Sequence, residues 1–106
     1  MKRDIMIDKI TTAILNSRKI RLLLVDGRET IVHPHIVIQR KHGERILKAM
    51  GDDGDCLDVP LRNIRGITIL SSNFAVDTQC LHFDFAEYEL VFPKREDWIH
   101  FTAGFA

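Results

Sequence analysis

Phosphate and carboxylate groups are well held by arginine, whose planar guanidinium presents several donors in a fixed fork. The first half of the chain is rich in such cations: Arg18, Lys19, Arg21, Arg28, Arg40, Lys41, Arg45 and Lys48. Residues 1–53 carry 11 Lys+Arg against 7 Asp+Glu, and residues 54–106 carry 4 against 8. Two readings compete. The cations converge on an anionic ligand, or they form a solvated sheet face balanced by the acidic second half. The net charge is zero, which removes a generic basic coat for nucleic acid and favours the solvated face.

The remaining chemistry-bearing residues are weaker. His33 and His35 stand two apart, the spacing that puts both imidazoles on one side of a strand as a metal needs. Pro34 lies between them and no Cys or carboxylate is near, so edge or turn histidines account for them better. His82 and Asp84 form a similar pair. Asp52-Asp53-Gly54-Asp55 lacks calcium-loop spacing and its closing Glu, and reads as a hairpin tip. Ser71, Ser72, Cys56 and Cys80 are potential nucleophiles, but none sits in a nucleophile elbow. Cys56 and Cys80 have no CxxC spacing, and two such thiols in a cytosolic protein are expected to be inert and reduced. No Gly-rich phosphate loop is present. The chain is read as a binding protein, without catalytic residues, metal or cofactor.

The elements that must position these residues are short. Residues 3–16 place Ile7, Ile10, Ala13 and Ile14 at helical spacing. Lys19–Val25 is an aliphatic strand, and Asp26-Gly27 is the strongest hairpin signal. Arg28–His33 returns and is stopped by Pro34. His35–Arg40 follows, with Ile36 and Ile38 on one side. Arg45–Met50 and Cys56–Val59 are further strands, Pro60–Arg65 a turn or single helical turn, and Gly66–Leu70 another strand. Over 81–92 two alternating phases suggest a strand with a bulge near Ala86-Glu87, with a helix as the competing reading. Pro93 ends it, and 96–101 suits a last helical turn. The fold expected is mainly β with an N-terminal helix: a small, strongly bent antiparallel sheet or Sm/SH3-like barrel with an aromatic-rich C-terminal extension. One domain is expected over 1–106, made of a leading helix (1–17), a barrel core (18–70) and the extension (71–106).

All eight aromatics lie after position 73, so the first two thirds must build an aliphatic core. The rings either complete that core or anchor a partner, and Phe92, Trp98 and Phe101 are the candidate interface residues. An apolar close at 101–106 favours a homodimer or docking strand. There is no run of 18 apolar residues and no signal-peptide core, so a cytoplasmic protein without membrane contact is expected.

The stretch from Ile10 to Leu70 resembles the WYL domain, a small Sm/SH3-like barrel found in bacterial transcription regulators. The likeness is carried by Arg18-Lys19-Ile20-Arg21-Leu22 after the helix and by Arg28-Glu29-Thr30-Ile31-Val32-His33-Pro34. It continues through Arg45-Ile46-Leu47-Lys48-Ala49 at the place of the Trp-Tyr-Leu triplet, and Leu61-Arg62-Asn63-Ile64 before the final strand. The triplet keeps only Leu47, and Asn63 stands where the family has arginine. The resemblance implies a ligand-sensing or regulatory module. Its arginines, here Arg18, Arg28, Arg45 and Arg62, would meet a phosphorylated or nucleic-acid-derived ligand on one concave face. Two other functions compete: a homo-oligomeric interaction module with no small ligand, and an Sm-like RNA-binding ring. The ring is weakened by neutral charge and by the lack of aromatics near the basic strands. A nucleic-acid partner is left open.

Overall fold

In the computed structural model, which describes residues 5–93, an N-terminal helix is followed by six strands in one antiparallel sheet. Helix α1 spans Ile5–Leu15. Its buried residues Ile10, Ala13 and Ile14 form one face, as the 3.6-residue period requires. Ser17 takes a positive φ of 50°, and Asn16 donates its side-chain amide to the Thr12 carbonyl, so the helix ends there.

Strands β1 (Arg18–Leu24), β2 (Glu29–Arg40), β3 (Arg45–Gly51) and β4 (Cys56–Pro60) form a meander. A 3-10 turn at Leu61–Asn63 then leads into β5 (Ile64–Asn73), which returns to pair with β1. The order across the sheet is β4-β3-β2-β1-β5. A second 3-10 turn, Thr78–Leu81, precedes β6 (Tyr88–Phe92), which pairs with the distal part of β2. Among the described residues β4 and β5 do not pair with each other, so the sheet stays open. This is the mainly β, small antiparallel fold with a leading helix that the residue pattern predicts.

Strand β2 organises the core. Glu29–Val32 pairs with β1, Val32–Gln39 with β3, and Val37–Arg40 with β6. Pro34 does not stop the strand, contrary to expectation. It sits at an irregularity between Pro34 and Ile36, where the ladder is already interrupted and a missing N–H is tolerated. Beyond that point, successive residues face opposite sides. Val37 joins the main cluster with Ile10, Ile14, Ile20, Leu22 and Leu47. Ile36 and Ile38, with Ile46, build a second cluster roofed by Leu81, Phe83, Tyr88 and Leu90. The aromatic-rich segment therefore packs on the aliphatic sheet.

The region 81–92 is a strand only in its second half. A turn at 85–87 separates β6 from the second 3-10 turn, with Asp84 accepting from the Ala86 backbone N–H. Phe92, a candidate partner-interface residue, is half-buried against the main cluster and pairs with Val37. Its ring completes the chain's own core. Trp98 and Phe101, together with the expected last turn at 96–101, lie outside the described residues. No helix among the described residues is long and apolar enough to cross a membrane.

Cys56 and Cys80 are joined in a disulfide, which overturns the expectation of reduced thiols. Cys56 opens β4 and Cys80 lies in the second 3-10 turn, so elements far apart in sequence meet. Sequence spacing gave no sign of this, because the pairing depends on the segment after β5 folding back over β3 and β4.

Candidate functional site

The four arginines named from sequence do not share one concave surface. Arg18 begins β1 and donates to the Ser71 carbonyl of β5. Arg28 lies past the other end of that strand, in the hairpin turn, where it meets the Asp26 carboxylate at 2.7 Å. The Arg28 backbone N–H donates to the same carboxylate, and these bonds hold Asp26 below the usual carboxylate range. Arg18 and Arg28 do not face each other across the β1–β2 turn, because Arg18 stands at the far end of β1 in register with Asn73. Arg45 starts β3 and donates to Gln39, and Arg62 pairs with Glu44 at 2.5 Å. Only Arg45 and Arg62 are near neighbours, through the adjacent residues Glu44 and Arg45. Each of the four is engaged with its own chain.

Two other cations are placed differently. The burial pattern of β1 turns Ile20 and Leu22 inward and leaves Arg21 exposed. Lys19 shares the outward side with Arg21, as the two-residue period requires. Lys19 approaches Asp52 of the β3–β4 turn, Nζ to Oδ1 3.6 Å. His33 of β2 meets the same oxygen through Nε2 at 2.9 Å. The hydrogen bond from His33, followed by the Lys19 charge, holds the Asp52 carboxyl below its ordinary range. An ionised carboxylate only accepts, so His33 carries its proton on Nε2. Two donors thus converge on one anionic oxygen. The Lys19 and His33 side chains are 28% and 16% exposed, while Asp52 is 55% exposed. The donors belong to the rigid sheet, and the acceptor belongs to a solvated turn.

A shallow concavity of about 500 Å3 opens beside these donors, lined by Lys19, His33, Met50 and residues 73–78. The His33 ring stacks on Phe74 at 5.2 Å between centroids, with 18° between planes. The loop that carries Phe74 is anchored from below by His35, which is fully buried. Its Nδ1 lies 2.7 Å from the His33 carbonyl, and its Nε2 accepts the Asp77 backbone N–H at 2.9 Å. A carbonyl cannot donate, so Nδ1 carries the proton and the ring is neutral. Burial pushes the His35 pKa down, in the same direction. His35 is a positioning residue: it joins β2 to the loop that walls the concavity.

The two imidazoles at 33 and 35 therefore do not form a metal pair, since each ring nitrogen used points to a different protein partner. No group of three or more His, Cys, Asp or Glu side chains placed to hold a metal ion occurs among the described residues. His33 with Asp52 has the form of an acid–base dyad, yet no Ser, Thr or Cys among the described residues is hydrogen-bonded to His33. The His33–Asp52 contact was missed from sequence because the two residues stand 19 apart. The β2–β3 register supplies the signal, since Val32 lies opposite Gly51 and so brings the turn after Gly51 alongside His33.

No family model matches the chain, and no curated protein or solved structure matches it either.

Proposed function

We propose that the chain is a non-catalytic, WYL-like ligand-sensing module that takes a small phosphorylated or otherwise anionic ligand at Lys19 and His33, beside Phe74. The observation that carries this reading is the convergence of two sheet-borne donors on one oxygen of a carboxylate that is itself on a solvated turn. An incoming phosphate oxygen would occupy the same point and displace the Asp52 side chain, which is 55% exposed and can rotate into solvent while the turn keeps its own hydrogen bonds. The leading helix and hairpins that carry the resemblance stand in the expected order, whereas β2 runs through Pro34 instead of ending there. The anion-binding role passes from Arg18, Arg28, Arg45 and Arg62 to Lys19 and His33, because those arginines do not share one surface whereas Lys19 and His33 converge on a single oxygen. A thermal-shift series with inorganic phosphate, nucleoside monophosphates and short oligonucleotides at two salt concentrations tests this. Binding to the folded state raises Tm by mass action, and the shift should shrink with salt and vanish in Lys19→Ala/His33→Ala. An equal shift in the double variant would place the ligand elsewhere, and no shift with any of these probes would remove the reading.

A second reading, a homo-oligomeric interaction module, is favoured by a separate observation. Among the described residues β4 pairs only with β3, and β5 only with β1. Each leaves a row of backbone donors and acceptors that a second copy can pair with. Light scattering over a concentration series decides it. A constant monomer mass removes this reading, and a higher mass that Leu57→Pro lowers would support it.

A further inference from the structure

The Cys56–Cys80 disulfide has an uneven environment. Cys80 is fully buried, whereas Cys56 is exposed at the start of β4, an edge strand. The bond ties the segment between β5 and β6 to that edge. Few other links hold the first part of that segment. The Phe74 N–H donates to the Ser17 carbonyl, the Asp77 N–H donates to His35, and Phe74 stacks on His33. Val76 and Leu81 add partly buried apolar contacts. The same segment supplies Phe74 to Thr78, one wall of the concavity beside Lys19 and His33.

We infer that Cys56 is a thiol-exchange site through which a small thiol of the glutathione class unlatches the 74–81 segment. The thiol loses its proton and its sulfur attacks Cys56 Sγ, forming a mixed disulfide. The Cys56–Cys80 bond breaks, and Cys80 leaves as a thiolate that takes up a proton. A second thiol attacks the mixed disulfide, releasing a symmetric small-molecule disulfide and leaving Cys56 as a thiol. Two thiols are oxidised and one protein disulfide is reduced, so electrons and protons balance. Attack falls on Cys56 because access selects the sulfur, and Cys80 offers none.

The sheet does not depend on the latch. Strands β1, β2, β3 and β5 are held by their own ladders and by the cluster around Leu47. Opening is therefore local: residues 74–81 lose their covalent anchor while the sheet stays folded. As far as this governs ligand capture, it rests on the proposed site at Lys19 and His33. The oxidised form has the wall in place and the reduced form does not.

The test is hydrogen–deuterium exchange of the full chain, oxidised and after treatment with reduced glutathione, beside Cys56→Ala/Cys80→Ala. Thiol titration of the same samples should find none before reduction and two after. Amides of 74–81 should then exchange faster by a factor on the order of ten or more, as local opening of a segment that has lost its covalent anchor gives. Amides of β2 and β3 should hold their rates, and the double variant should match the reduced form in both buffers. Two free thiols in the oxidised sample, unchanged exchange at 74–81, or acceleration throughout the sheet would each overturn the inference. Phosphate titration of the two forms is read separately. A latch that opens with no phosphate bound in either form would leave the exchange site standing and remove the ligand reading.

Discussion

His35→Leu tests how the candidate site is held. In the native chain the buried imidazole donates to the His33 carbonyl and accepts the Asp77 N–H. Leucine fills similar space and does neither, so a buried backbone donor loses its partner. That costs about 1–3 kcal/mol, a large share of a small domain's stability. The second effect is on pH dependence. The folded pKa of His35 lies below its ordinary value of 6.5, so in the window between the two the unfolded chain binds the extra proton. The contribution of His35 is complete above 6.5 and is lost as pH falls below it toward the depressed folded value. The slope approaches ~1.4 kcal/mol per pH unit for one proton. Urea denaturation of wild type and variant at about pH 7.5 and about pH 5.5 measures both effects. The variant should be less stable at the higher pH, and the gap should narrow at the lower one. Equal stability at the higher pH with an unchanged gap at the lower one would refute the bonding and the protonation state assigned to His35.

Other expected outcomes follow from the same structure. Leu47→Ala should cost about 2–5 kcal/mol by denaturant titration, because Leu47 is fully buried in the main cluster beside Leu22 and Val37. Gly27→Ala should cost about 1–2 kcal/mol by the same titration, since Gly27 holds φ +90° in the β1–β2 turn with open space around its Cα. Asp52→Asn should tighten phosphate binding several-fold by calorimetric titration, because it removes the carboxylate that competes for Lys19 and His33.

Much of the fold was legible because local rules and tertiary packing agree. Ile10, Ala13 and Ile14 mark one helix face, Asp26-Gly27 a turn, and Ile36-Val37-Ile38 a strand apolar on both sides, as a strand between two clusters must be. Pro34 misled because a proline normally ends pairing, and only the β2–β3 register shows that the ladder is already irregular there. The stretch 81–92 misled because Phe83 and Phe85 alternate like a strand, yet both belong to a loop in which Phe83 roofs Ile36 and Ile38 while Phe85 stays exposed. The candidate site was less legible. Charge identity marks arginines but not their partners, and the nearby acceptors Asp26, Gln39, Glu44 and the Ser71 carbonyl engage all four chosen. Lys19 stood among the cations noted and His33 among the histidines. Their common partner Asp52 becomes visible only when the β2–β3 hairpin sets the register. The disulfide was illegible for the same reason, since it closes through a loop whose path no local rule dictates.

The most direct test is a phosphate titration of the oxidised, isotope-labelled protein followed by amide and imidazole chemical shifts, with a nucleoside monophosphate as the second probe. The predicted result is saturable, salt-sensitive movement confined to Lys19, His33, the turn at Asp52 and residues 74–78, lost in Lys19→Ala/His33→Ala. Movement centred on Arg28, Arg45 or Arg62, or no saturable movement with either probe, would contradict it.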